Sequence, residues 1–151
     1  MLSNFDRYKF CYNNYLSKYI DCKINQNESN IDYINIKEDV FSFFTNEFLS
    51  VEEQCKYKFQ IAINGYDFPS SLGWQLLNNH VVFIPYPFEY ETIINYGLIP
   101  WENFVPISYK FTDIEDKIKY LIKNEELSKK IASNARNYIL KIMNEEYFYN
   151  T

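Results

Sequence analysis

The sequence predicts an α/β fold, a Rossmann-like parallel sheet with flanking helices. Three observations predict it. An apolar run over Phe59 to Ile63 stops at the turn pair Asn64-Gly65, a helical stripe follows at Leu72, Leu76 and Leu77, and a second run, HVVFIP over His80 to Pro85, lacks polar alternation. A strand that is apolar on both faces belongs inside a parallel sheet covered by helices on each side. Strand, helix and strand in that order make a βαβ unit.

Taken from the amino terminus, Ser3-x-x-Asp6 opens a first helix through about Ser17, followed by a short strand over Ile20 to Ile24. Asn25 to Asn30 is a polar connection, and Ile31 to Ile36 alternates enough for another strand. The strand at Phe59 leads through Gly65 and the loop Tyr66-Asp67-Phe68-Pro69 to Ser70 and Ser71, which are placed to cap the next helix. That helix ends near Asn78-Asn79, with Trp74 and Gln75 turned away from its apolar face. After the second strand an acidic loop reaches a helix starting at Glu91. Thr112-x-x-Glu115 starts a helix with Ile114, Ile118, Leu121 and Ile122 on one face, and Asn124 caps a last one carrying Leu127, Ile131, Ala135 and Ile139.

The chemistry expected of this order lies at the carboxyl ends of the strands, where open α/β sheets bind ligands. Gly65 allows close approach to the backbone, and Ser70 and Ser71 offer hydroxyl donors to an anion such as a phosphate. The plainer reading of the same residues is that Gly65 turns the chain and Ser70 caps the helix. Glu91 likewise has two readings: a carboxylate accepting from ribose hydroxyls, or one favoured by the dipole of a helix it opens. Asp67 orders the glycine loop through an Asx-turn or touches a sugar.

Composition narrows the partners. The net charge of −5, with 15 Lys and Arg and no basic block, speaks against a nucleic-acid groove and against electrostatic membrane attachment. The 15 Tyr and 13 Phe scatter among Asn, Ile and Lys along the whole chain, a pattern that codon bias accounts for better than base stacking does. Cys11, Cys22 and Cys55 are odd in number and lack Cys-x-x-Cys spacing, so they suggest neither a disulfide framework nor a zinc site. Reduced thiols, no signal-length apolar run and no membrane span make the cytoplasm the default location. A longer start would open the secretory pathway. Nothing in the residues demands a metal or cofactor.

The segment from Lys56 to Ile107 resembles the carboxyl-terminal part of the CAP10-like, lipopolysaccharide-modifying glycosyltransferases, glycosyltransferase family 90. The likeness is carried by Lys56-Tyr57-Lys58, Gly65, Asp67, Ser70 to Leu76 around Trp74, and Asn79 to Pro85. It continues through Glu91, Gly97-Leu98, Pro100-Trp101 and Phe104-Val105-Pro106. Phe48 to Gln54 and Lys130 to Ala135 extend it outward, and Arg7 and the Tyr19 to Ile24 stretch resemble the upstream region more weakly.

The resemblance implies the carboxyl-terminal half of a two-domain GT-B enzyme, binding a UDP-sugar such as UDP-xylose or UDP-glucose as substrate. Its acceptor would be a glycan, a lipopolysaccharide or a protein hydroxyl. It implies donor contacts from Gly65, Asp67, Ser70, Ser71, Trp74 and Glu91, with Glu89 the alternative to Glu91. Trp74 and Trp101 suit the core or the Pro-Trp turn better than stacking on a uracil.

At 151 residues the chain has room for one domain of common size, spanning 1–151, and none for two Rossmann-like halves. The acceptor-facing half, with the general base of an inverting transfer, is therefore expected outside this chain, on a separate domain or subunit. Without it, the last residues from Ile139 to Phe148 should expose apolar surface. The catalytic residue is not assigned, since His80, the only histidine, opens a buried strand at its amino end. A non-catalytic binding module left after loss of the first half is the alternative. One departure weakens the donor site: Gly73 stands where bacterial relatives often have Lys, costing a charge-assisted contact of roughly 1.5–3 kcal/mol. Lys56 or Lys58 is the candidate substitute.

Overall fold

The central strand explains the architecture. In the computed structural model, which describes residues 3–25, 44–45, 47–65 and 68–144, β4 (Val81–Pro85) is buried at every position. It lies between β3 (Phe59–Ile61) and β5 (Val105–Ile107), parallel to both, with Ile61 opposite Phe83 and Phe83 opposite Val105. The missing polar alternation of HVVFIP is thus the imprint of two covered faces. Val81 and Phe83 join Val105, Ile107, Ile118 and Leu121 on one side; Val82 and Ile84 join Leu72, Leu76, Ala135 and Ile139 on the other.

Helices supply both layers. The first face is covered by α1 (Ser3–Asn14) and α4 (Ile114–Lys123), the second by α3 (Leu72–Leu77), while α5 (Glu125–Met143) sends Ile131 to one cluster and Ala135, Ile139 and Ile142 to the other. Leu72 and Leu76 are fully buried, so truncating either to Ala would cost about 2–5 kcal/mol. A short second sheet pairs β1 (Ile24–Asn25) with β2 (Phe44–Thr45) in parallel, and α2 (Val51–Gln54) precedes β3. The result is the predicted α/β arrangement, a parallel sheet with flanking helices.

Several local expectations are corrected. The strand expected at Ile20 to Ile24 reduces to Ile24–Asn25. Gln75 is not turned away from the core: it is buried, and its Nε2 donates to the Ile61 carbonyl at 3.1 Å, fastening α3 to β3. Ile122 is nearly half exposed because Ile114, Ile118 and Leu121 already fill the buried stripe of α4. Ser71, Asp113 and Asn124 stand at helix starts without capping them through their side chains. Asn124 instead bonds back to Tyr120, and Asp113 is committed to Ser108 and Lys117. The predicted stop of α3 is as drawn, with Asn79 at φ 63°, a left-handed position that Asn tolerates.

No α-helix lies between β4 and β5. From Thr92 to Gly97 the chain forms turns, because Asn95 Oδ1 accepts from Thr92 N at 2.6 Å and Asn95 Nδ2 donates to the Tyr90 carbonyl at 2.7 Å. Such side-chain bonds compete with the helical ladder. Gly97 is required by close approach. Tyr138 of α5 accepts from the Gly97 amide at 3.1 Å, and a Cβ there would come within 2.9 Å of its ring. At the carboxyl end of α5, Leu140 and Met143 are exposed while Ile139 and Ile142 are buried, so the expected apolar exposure is partial over the described part. The proposed strand at 31–36, Asp67 and residues 145–148 lie outside the described residues.

Candidate functional site

Because β3, β4 and β5 are parallel, the loops leaving their carboxyl ends share one edge. The loop after β3 brings Asn64 and Gly65, the loop after β4 brings Tyr86 to Tyr90, and β5 leads into Ser108 and Tyr109. Two hydrogen bonds tie the three together. Asn64 Nδ2 donates to Glu89 Oε2 at 3.1 Å, and the Tyr109 hydroxyl donates to the Pro87 carbonyl at 2.8 Å.

Charge gathers at this edge. Burial and the neighbouring Glu89 carboxylate hold the Asp6 carboxyl of α1 above its ordinary value, with Lys9 opposing. Burial, then the charges of Glu89 and Asp6, push the Tyr109 phenol up to about 12, so it remains a hydrogen-bond donor at neutral pH. The crevice among Asn64, Pro69, Glu89 and Tyr109 encloses only about 10 Å³, room for about one water molecule.

A larger cavity of about 480 Å³ opens beside it, bordered by Arg7, Cys11, Cys22, Ile63, Ser71 and Gln75. Its volume is in the range of small-molecule sites. Arg7 reaches across to the glycine loop: a Cβ on Gly65 would stand 3.1 Å from Arg7 Nη2. Gly65 therefore leaves the space that the guanidinium occupies. The Cys11 thiol, hydrogen-bonded to Cys22 and buried, is pushed well up and stays protonated.

The sequence-predicted residues divide among these features. Ser71 borders the large cavity, and Gly65 stands against Arg7, which also borders it. Ser71 Oγ lies 3.4 Å from Gln75 Oε1, while Ser70 is exposed on the turn before it. Two opening amides of the six-residue α3 are used internally, Leu72 N donating to Pro69 O and Gln75 N to Ser71 O, both at 3.0 Å. Trp74 is half-buried and borders neither cavity. Trp101 is not a core residue: it is exposed, meets Tyr120 edge-on at 6.1 Å, and donates its amide to the Phe104 carbonyl at 2.8 Å, closing the Pro-Trp turn.

Glu91 does not open a helix. It is exposed and borders a separate groove with Thr92, Ile93, Tyr96, Gly97 and Tyr138. Glu89, two residues earlier, is the carboxylate bonded to the glycine loop. Lys56 and Lys58 precede β3 at the opposite edge, where Lys58 pairs with Glu125 at 3.6 Å, so neither substitutes for a cation at the carboxyl edge. His80 likewise sits at the amino end of β4, buried, its Nε2 without a hydrogen-bond partner among the described residues. Gly73 is not forced by packing. A Cβ there would meet only Ile94 Cδ1 at an ordinary 3.8 Å.

Asn64, Asp6 and Tyr109 were not among the predicted ligands. The signal that finds Asn64 and Tyr109 is position, since both lie in the loops that leave the carboxyl ends of strands in a parallel sheet. Asp6 required knowing where α1 docks.

With this geometry in view, the comparisons identify the class. Residues 17–150 match the model of Glycosyl transferase family 90, and the chain belongs to that family. It is 27% identical over 104 residues to O-glucosyltransferase LpsA of Dichelobacter nodosus, covering 68% of this chain and 32% of that protein. It is 34% identical over 83 residues to Protein O-glucosyltransferase 2 of Danio rerio, and 30% over 81 residues to Protein O-glucosyltransferase 3 of Homo sapiens. These alignments cover 55% and 54% of this chain and 16% of each relative. The chain thus spans a third or less of the length of these relatives. Among the described residues no helix is long and apolar enough to cross a membrane.

Proposed function

We propose that this chain forms the donor-binding half of a glycosyltransferase, resembling the carboxyl-terminal half of a GT-B enzyme. It would bind a UDP-sugar, with glucose or xylose as the sugar transferred to a hydroxyl of a glycan, lipopolysaccharide or protein. The observation that carries this reading is the convergence of Gly65, Asn64 with Glu89, and Tyr109 on the carboxyl edge of a parallel sheet in a family 90 chain. The names of the relatives add that glucose passes to oxygen in those proteins.

In this reading Glu89, oriented by Asn64, accepts hydrogen bonds from the ribose hydroxyls, the role first expected of Glu91. Gly65 keeps the loop low enough for the diphosphate to approach, and Ser71 offers it a hydroxyl. The sugar is displaced directly at its anomeric carbon: the acceptor oxygen forms the new bond, and the nucleoside diphosphate leaves with the electrons of the old one. The acceptor proton goes to a base on an acceptor-facing domain or subunit, since the one histidine lies at the opposite edge. The reading calls on no metal or other cofactor.

Titrating the purified chain with UDP, UDP-glucose and UDP-xylose by ligand-observed NMR tests this. A half-site should bind on the order of 0.1–1 mM. Absence of UDP binding at several millimolar would refute the donor site, and sugar transfer by this chain alone would refute the division of labour.

A further inference from the structure

We infer that Cys11 and Cys22 form a redox site: on the folded chain they close to an intramolecular disulfide by exchange with a low-molecular-weight disulfide. The crosslink ties the first helix to the segment entering the second sheet, along the wall of the 480 Å³ cavity. The pair stands whether or not that cavity takes a nucleotide sugar.

The two thiols come together from different elements. Cys11 lies in α1, where Phe10 beside it meets Phe111 edge-on at 5.8 Å and Asn14 Nδ2 donates to the Phe111 carbonyl at 3.0 Å. That end of the helix is thereby held against the main sheet. Cys22 lies on the segment leading into β1, half-buried and packed against the apolar cluster that contains Cys11. The Cys11 thiol donates a hydrogen bond to the Cys22 sulfur, and both residues border the cavity. Two sulfurs already side by side can bond by side-chain rotation, without movement of the backbone. Cys55, the third thiol, closes α2 and does not border the cavity.

The surroundings give the chemistry an order. The hydrogen bond from Cys11 holds the Cys22 thiol below its ordinary value of 9.0, against burial and the Asp21 charge, so Cys22 is the first to form a thiolate. It gives its proton to water and attacks one sulfur of the reagent. The S–S bond of the reagent breaks, and one thiolate leaves and takes up a proton. Cys22 now carries a mixed disulfide. Its hydrogen bond and its negative charge, which together with burial push the Cys11 thiol up, are both gone from that species, and only burial is left. Cys11 then gives up its proton, its sulfur attacks Cys22 Sγ, and the second reagent thiolate leaves with that proton. Two protein thiols are oxidised by two electrons, and one small disulfide is reduced to two free thiols.

The test treats the folded full chain with hydroxyethyl disulfide, removes the excess, and counts alkylatable thiols by mass spectrometry in denaturant. Wild type should fall from three thiols to one and lose the mass of two hydrogen atoms. Its peptide map should join Cys11 to Cys22 and leave Cys55 alkylated. Because the loop closed is short, the linked chain should melt roughly 6–12 °C above the reduced one, and a dithiol reductant should reverse the shift. Cys55→Ala should link as wild type does, whereas Cys22→Ser should neither link nor gain in melting temperature. In urea the pairing preference should be lost, since folding is what sets the two sulfurs together. If folded wild type keeps all three thiols, stops at a mixed disulfide, or links Cys55 to either partner, Cys11 and Cys22 are packing residues alone and the redox site is refuted. A link that lowers the melting temperature would refute it equally, because the folded geometry would then oppose the bond.

Discussion

Asn64 donates its side-chain amide to Glu89 Oε2 at 3.1 Å, joining the loop after β3 to the loop after β4. The bond brings Glu89, and not Glu91, to the glycine loop. Glu89 is held by a partner and faces the glycine loop, whereas Glu91 borders the groove beneath Tyr138. Glu89→Gln should therefore weaken UDP binding about tenfold, the value of a lost charge-assisted hydrogen bond, while Glu91→Gln leaves it within twofold. Calorimetric titration of both variants checks this, and the reverse ranking would return the ribose contact to Glu91.

Asn95 is the next residue to test, because it shapes the segment that carries Glu91. It is 2% exposed, and its side chain accepts from Thr92 N and Thr92 Oγ1 while donating to Tyr90 O. Asn95→Ala should cost about 2–3 kcal/mol by leaving those groups unpaired, and lower the melting temperature by roughly 5–10 °C. Thr92→Ala removes only the hydroxyl and should cost about 1 kcal/mol or less. Equal losses would show that the turn does not depend on the Asn95 amide.

These two residues show how far the sequence carries. The run from His80 to Pro85 announced a buried parallel strand because burial on two faces leaves a direct mark on composition. The stop at Asn78-Asn79 was equally legible, as a left-handed position wants Asn or Gly. Gln75 was misplaced because periodicity counts a polar side chain as outward, and cannot see that a sheet-edge carbonyl awaits it. Ser50 and Glu53, not singled out from the sequence, form a capping box with both reciprocal bonds present, and it opens a helix of only four residues. Whether Glu89 or Glu91 stands beside the glycine loop was not legible, for a different reason. Two residues of loop decide which cavity a carboxylate faces, and that follows from the Asn95 bonds and the turns they set.

The carboxylate of Asp113 links β5 to α4. It accepts from Ser108 N and Ser108 Oγ at 3.1 Å and from Lys117 Nζ, which also donates to the Pro106 carbonyl. Burial pushes its carboxyl up, but Lys117 and Ser108 outweigh burial and hold it below its ordinary value of 3.8. A depressed carboxyl stabilises the fold fully above the unfolded value and loses that contribution as pH falls through the folded one. Asp113→Ala should cost about 1–3 kcal/mol at pH 7, and less below pH 3.8, by urea denaturation. A loss independent of pH down to pH 3 would mean that the carboxylate charge contributes nothing.

His80 gives the opposite slope at milder pH, and separates a structural histidine from a catalytic one. Its Nε2 is buried without a partner among the described residues, and burial holds its imidazole below the ordinary 6.5. The unfolded chain therefore takes up a proton before the folded one does. Stability is complete above pH 6.5 and falls as the pH drops below it, until the folded imidazole itself titrates. His80→Leu removes both the orphaned nitrogen and the proton. It should stabilise the chain by about 1 kcal/mol at pH 7.5, and by more at pH 5.5, in thermal melts at the two values. Because His80 lies at the amino end of β4, away from Gly65 and Glu89, UDP affinity should not change. A His80→Leu chain that folds normally but no longer binds UDP would place the histidine at the ligand after all.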